Sequence, residues 1–278
     1  MKHTFPLCQS DFYSSVCSVP SHGISVLKKS SELQSPIIEV KNLTAKYGEK
    51  TILNDISLDI YKGDITVILG ASGGGKTTFM KNIIRLIEPF SGSVKIFGKE
   101  VVGLEEIEFN EVLKRVGMLF QNGALLNSIN IFENISIPLE QHTNLPFSIQ
   151  EKIIKKKLEL VNLSHAIYLL PSELSGGMKK RAALARAIAL DPEILFFDEP
   201  SAGLDPITSA NLDELILNLK QQLNISLVIV THELASIYRI ADRIVFFDKG
   251  ELVYQGDLID VKNCEHPVVQ KFFEVGKF

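Results

Sequence analysis

Tryptophan is absent from this 278-residue chain, and cysteine occurs three times, at Cys8, Cys17 and Cys264. That odd, widely spaced set has no nearby Cys or His cluster, so it implies neither a disulfide framework nor a zinc site. A reducing compartment fits it best. Also missing is any run of the roughly 18 to 20 apolar residues that a membrane-spanning helix needs. The most apolar stretches, residues 194–197 and 227–230, have the length of buried strands. Any role at a membrane therefore needs partners. Excess positive charge is lacking too. The 29 Lys and Arg residues against 33 Asp and Glu give a net charge of −4. Such a chain has no bulk attraction for nucleic acid or anionic lipid, and no nucleic-acid partner is expected. The composition, 45% hydrophobic and 22% charged, is that of a globular chain with a full core.

Residues 1–36 are rich in serine, with Pro6, Pro20 and Pro36 as breakers and no sustained helix or strand period. They predict a mobile N-terminal extension. The stretch lacks the apolar core of a secretory signal and the arginines favoured in transit peptides. Residues 37–278 predict one domain. In it, residues 37–40 and 52–60 read as edge strands and 64–69 as a buried strand, followed by a glycine-rich turn and a helix to about residue 87. Strands are expected at 93–97 and 116–119. Residues 130–161 carry a helical pattern with breaks at Pro138 and Pro146, and Lys152, Lys155, Lys156 and Lys157 read as its solvated face. A helix at 176–190 then feeds a strand at 194–197. A helix at 206–223 and strands at 227–230, 244–247 and 251–255 follow. Strands alternating with helices imply an α/β fold with a parallel core sheet. To this the pattern adds an antiparallel β edge subdomain and an inserted helical subdomain at roughly 122–180.

The central motif is Gly70, Ala71, Ser72, Gly73, Gly74, Gly75, Lys76, Thr77 and Thr78. It satisfies G-x-x-x-x-G-K-[ST] where the chemistry needs it, after a strand and opening a helix. Glycines let backbone N–H groups turn inward around phosphate oxygens, and the helix N-terminus adds partial positive charge. Lys76 supplies a full charge for β- and γ-phosphates, and the Thr77 hydroxyl can ligate Mg²⁺. A pattern of this kind arises by chance in roughly one in a hundred chains of this length. A second motif is an apolar strand ending in Asp198, Glu199 and Pro200. Burying two acids at a strand end is costly unless a cation sits there. Asp198 is the expected metal-side acid, and Glu199 is placed to polarise a water for attack on the γ-phosphate.

With these two motifs, Leu174-Ser175-Gly176-Gly177-Met178-Lys179-Lys180-Arg181 resembles the signature of the ABC ATPases. Other landmarks of that family fall in order. Tyr47 occupies the adenine-stacking position, and Gln121 looks like the glutamine that contributes to catalysis and the metal shell. Residues 201–206 are similar to the D-loop, and His232 matches the switch histidine. The resemblance implies a P-loop ATPase using ATP and Mg²⁺, and a homodimer in which Ser175, Gly176 and Gly177 of one subunit close over nucleotide held by the other. A Ser-Gly-Gly turn opening a helix is itself a second anion site.

Met178, where the family usually has Gln, and the stretch 121–146 resemble the branch that works with MCE-domain proteins, the Mla-type phospholipid transporters. That likeness implies an integral-membrane permease, an MCE-domain lipid-binding protein and, in some systems, a small STAS-domain subunit. It also implies a peripheral position on the cytoplasmic face of the inner membrane. Residues 122–139 hold many apolar groups for a loop and are the candidate permease-docking surface, or in part the subdomain's own core. Beside this reading stand a binding-only regulator that senses ATP without hydrolysis, which intact Glu199 and His232 disfavour, and two further alternatives. One is an ABC subunit for an amino acid, metal or drug; the other is a soluble ABC protein acting on nucleic acid or ribosomes.

Overall fold

The computed structural model describes residues 35–71 and 73–274. The expected extension lies outside them except at its end, where Pro36 already opens a strand. A hairpin comes first, β1 (Pro36–Tyr47) and β2 (Lys50–Tyr61). Then β3 (Ile65–Gly70) leads through the glycine-rich turn into α1 (Lys76–Ile83). After it come β4 (Ser91–Ile96), β5 (Lys99–Glu100), α2 (Glu106–Leu113) and β6 (Val116–Leu119). Two helices, α3 (Ile131–His142) and α4 (Phe147–Leu160), precede α5 (Gly176–Ala187), which feeds β7 (Ile194–Asp198). The rest alternates: α6 (Pro206–Leu223), β8 (Ser226–Val230), α7 (Leu234–Ile240), β9 (Arg243–Asp248), β10 (Glu251–Asp257) and α8 (Pro267–Glu274).

The six-stranded sheet runs β10-β9-β3-β8-β7-β6, parallel from β9 to β6 with β10 antiparallel at one edge. Its central strands are buried on both faces, as helix-covered parallel strands must be. Side chains alternate between two cores, because a strand has a period of two. Val67, Leu195, Phe197, Leu227, Ile229 and Phe246 pack with α3–α8. Ile68, Phe196, Val228, Val230, Val245 and Phe247 pack with α1, α2 and the second sheet. That second sheet is antiparallel, ordered β2-β1-β4-β5. So β1, expected at an edge, is internal: β4 pairs along its outer side. No helix among the described residues is long and apolar enough to cross a membrane.

The structure differs from the sequence reading in three further places. The helix after the glycine-rich turn ends at Ile83 rather than near 87. Pro138 does not break the chain but sits inside α3. Ile131, Ile135 and Leu139, four residues apart, are all buried on the core, and that packing outweighs the one ladder bond a proline forfeits. Lys157 is not solvated. It is buried and paired with Asp191, whereas Lys155 and Lys156 bond Glu151 and Glu159 on the exposed face.

Half of the apolar groups between 122 and 139 belong to the core, including Ile131, Phe132, Ile135 and Leu139, while Leu126 is half exposed. The loop before α3 is held by Asn134, which is fully buried. Its Oδ1 accepts from Leu126 N at 2.8 Å, and its amide nitrogen lies 2.9 Å from Asn130 O and 3.1 Å from Leu126 O. Asn134→Ala should cost about 1–3 kcal/mol, because buried loop groups lose their partner. A lower urea midpoint and faster amide exchange around Leu126 are the expected readouts.

Candidate active site

The turn between β3 and α1 is shaped by close backbone approach. Gly70 has φ +144°, and a Cβ there would lie 2.1 Å from the carbonyl oxygen of Phe247 on β9. Only glycine fits. Gly74 N then donates to Ala71 O at 3.0 Å, curling the loop. Helix α1 has no side-chain cap and no acid in its first turn, so its first N–H groups remain open to an anion. The Lys76 ammonium donates to the carbonyls of Gly70 and Ala71 at 2.9 and 3.0 Å. Burial pushes Lys76 below the ordinary lysine range, while Glu199 and Asp198 pull it back up. A cavity of about 290 Å³ opens here, lined by Gly73, Gly74, Gly75, Lys76, Thr77 and Thr78 and by Tyr47 at the end of β1. Tyr47 is half exposed. Ser72 lies outside the described residues.

On the neighbouring strands, β7 ends at Asp198, opposite Val230 of β8. Glu199 follows with φ +49°, a left-handed backbone that non-glycine residues rarely take. Its N–H donates to Val230 O at 2.8 Å. Burial raises the Asp198 carboxyl above the usual range, the charge of Glu199 adds to this, and Lys81, Lys76 and Lys180 oppose it. His232 stands just beyond β8, with Nδ1 2.9 Å from Glu199 Oε1. An ionised carboxylate only accepts, so Nδ1 is the donor there. Glu199 and His232 are thus brought together, and Lys76 lies within electrostatic reach of both acids.

Gln121 is exposed in the turn after β6, and its backbone carbonyl accepts a hydrogen bond from Lys180 of α5. Among the described residues, no group of three or more His, Cys, Asp and Glu side chains is placed to hold a metal ion. Ser175 caps α5, its hydroxyl accepting from Met178 N at 3.3 Å. Ser175 and Gly176 are exposed and do not line the cavity. Gly177 meets α6 closely, since a Cβ there would lie 2.8 Å from the Thr208 methyl. Thr208 is in turn fixed by Asp205, which caps α6 and accepts from the backbone of Ile207 and Thr208. The Thr208 hydroxyl and these amides hold the Asp205 carboxyl below the usual range.

Sequence reasoning missed Lys180. It sits among the basic residues of the signature motif, yet it is buried. The available signal was helical phase: Ala183 and Leu184, three and four residues on, are core positions on the same face.

The profile of the ABC transporter family matches residues 53–202. The chain is 44% identical over 220 residues to the intermembrane phospholipid transport system ATP-binding protein MlaF of Haemophilus influenzae, covering 79% of this chain and 83% of that protein. It is 40% identical over 235 residues to the probable ribonucleotide transport ATP-binding protein mkl of Mycobacterium leprae, covering 84% and 68% respectively. Among solved structures, the dimeric post-hydrolysis state of the ATP-binding cassette MJ0796, bound to ADP and Pi, superposes with a TM-score of 0.73. It is 28% identical, over 80% of this chain and 98% of that one. A phosphate-shaped loop facing two strand-end carboxylates, in a fold shared with that nucleotide-bound cassette, places the chain in the ABC transporter family, as an ATP-binding subunit with ATPase activity.

Proposed function

We propose that this ATPase powers a transporter that moves phospholipid between membranes. One observation carries the cargo: the 44% identity to MlaF, which spans 83% of that protein. Met178 in the signature is consistent with it. The subunit would sit on the cytoplasmic face of the inner membrane as a homodimer. An integral-membrane permease would be bound, with an MCE-domain lipid-binding protein and, in some systems, a STAS-domain subunit alongside. Between the turn after β6 and α3 lies a groove of about 310 Å³ lined by Met118, Phe120, Ile137, Pro138, His142 and Arg186. It is suited to an amphipathic helix from the permease. The helical subdomain would span roughly residues 122–180, with the residues before Pro36 as an extension outside the ATPase domain.

In the ATP site, Lys76 and the amides of residues 70–78 would grip the β- and γ-phosphates, while Tyr47 would stack on adenine. Glu199 would orient the attacking water with His232 and Gln121 beside it. Thr77, Asp198 and Gln121 would hold Mg²⁺. They suit a cation, because Asp198 is partly buried at a strand end beside the charge of Glu199. When bound there, Mg²⁺ neutralises charge on the phosphate oxygens. Ser175, Gly176 and Gly177, outside this subunit's own cavity, would cover the nucleotide of the second copy.

The test is ATP-driven transfer of a fluorescent phospholipid between vesicles by the assembled complex. Transfer that needs hydrolysis is expected. Movement of a ribonucleotide, amino acid, metal or drug without phospholipid would overturn the cargo and leave the ATP chemistry standing.

A further inference from the structure

We propose that Lys180 is a positioning residue for hydrolysis, tying the turn after β6 to the backbone of Glu199. The proposal rests on the reading of Glu199 as the residue that orients water. Lys180 is 7% exposed. Its ammonium donates to the carbonyl of Gln121 and lies 3.4 Å from the carbonyl of Glu199. One cation on α5 therefore reaches two segments, the turn after β6 and the residue that follows β7. An ammonium group brings three donors and no acceptor, and when buried it must be spent on acceptors that are fixed.

The turn is also fastened to α5 by Arg186, whose guanidinium donates to the carbonyls of Gly123 and Ala124 at 2.8 and 2.7 Å. Arg186 could hold the turn alone. Among the bonds described, only Lys180 joins that turn to the carboxylate end of β7. The joint matters because Glu199 has φ +49°. A non-glycine residue keeps such a backbone only where its surroundings over-determine it. Val230 O fixes the N–H of Glu199, and Lys180 attracts its C=O. Together they set the direction in which the Glu199 side chain leaves the chain. The same ammonium makes Glu199 respond to displacement of the turn at Gln121.

The experiment uses the assembled complex and three variants. Lys180→Met keeps the stem and removes the donors, Lys180→Arg restores a cation, and Glu199→Gln is run in parallel. Expected for K180M is a kcat lower by about ten- to a hundredfold, the scale of a small misplacement of a reacting group. Its KM for ATP and its equilibrium affinity for a labelled ATP analogue stay within about twofold of wild type. K180R regains most of the lost kcat, which a residue needed only for packing would not do. A wild-type kcat in K180M overturns the proposal. So does a loss that K180R shares, or one matched by lost nucleotide affinity. Should K180M not fold, K180L, which likewise has no donor, is read by the same criteria. If E199Q turns over normally, the role of Glu199 has failed and the proposal falls with it. If E199Q is inactive while K180M is normal, only the tether has failed.

Discussion

Glu199→Gln is expected to bind ATP as the wild type does and to release phosphate about a hundred- to ten-thousandfold more slowly, the range that a positioned acid–base group contributes. The shapes of the two side chains match, so the geometry should survive. The backbone N–H of Glu199 still reaches Val230 O, and the amide oxygen can still accept from His232 Nδ1, now 2.9 Å from the carboxylate. What is lost is charge. A neutral amide cannot pull a proton from water as it attacks phosphorus. Binding without turnover should also leave the variant as an ATP-loaded dimer, visible by light scattering when ATP is added and absent with ADP. Steady-state phosphate release together with equilibrium binding separates the two effects. Unchanged hydrolysis would remove Glu199 from the proposed role.

The loop and the strand-end acids could be read from sequence because local chemistry restricts the residue at each position. Gly70 approaches the Phe247 carbonyl too closely for any Cβ, and that requirement appears in sequence as glycine. Asp198 and Glu199 announce themselves because four buried apolar residues precede them. Lys157, read as solvated, and Lys180, given no role, lie in basic runs, and their environment comes from elsewhere. Lys180 meets a carbonyl 59 positions away, and Lys157 meets an acid 34 positions away. No window of neighbouring residues holds that information. Helices α2 and α7, with eight and seven residues, are too short for a 3.6-residue period to declare itself. The tail stretch 268–273 became interpretable only once folded. It forms most of α8, where Phe272 meets Phe246 with ring centroids 5.4 Å apart and Phe273 meets Tyr238 at 6.0 Å.

Lys76→Ala should weaken ATP binding by about a hundredfold or more, the scale of removing one partner from a desolvated charge pair. In the structure the ammonium is engaged by the carbonyls of Gly70 and Ala71. A triphosphate would draw it away from them, exchanging neutral acceptors for charged oxygens, and such bonds are roughly twice as strong. The half-buried setting that lowers the lysine's proton affinity also leaves the field of its charge less screened. The amides of the loop and the open N-terminus of α1 remain in the variant, so some phosphate affinity should persist. ADP binding should therefore fall less than ATP binding, and the preference for the triphosphate should shrink. The chain itself should stay folded, because Phe79, Met80 and Ile83 anchor α1 in the core. Titration of the variant with labelled ATP and ADP analogues, beside a thermal melt, checks each part. Wild-type affinity for ATP would mean that the loop amides alone grip the phosphates. An equal loss for both nucleotides would mean that Lys76 shapes the loop rather than meeting the γ-phosphate.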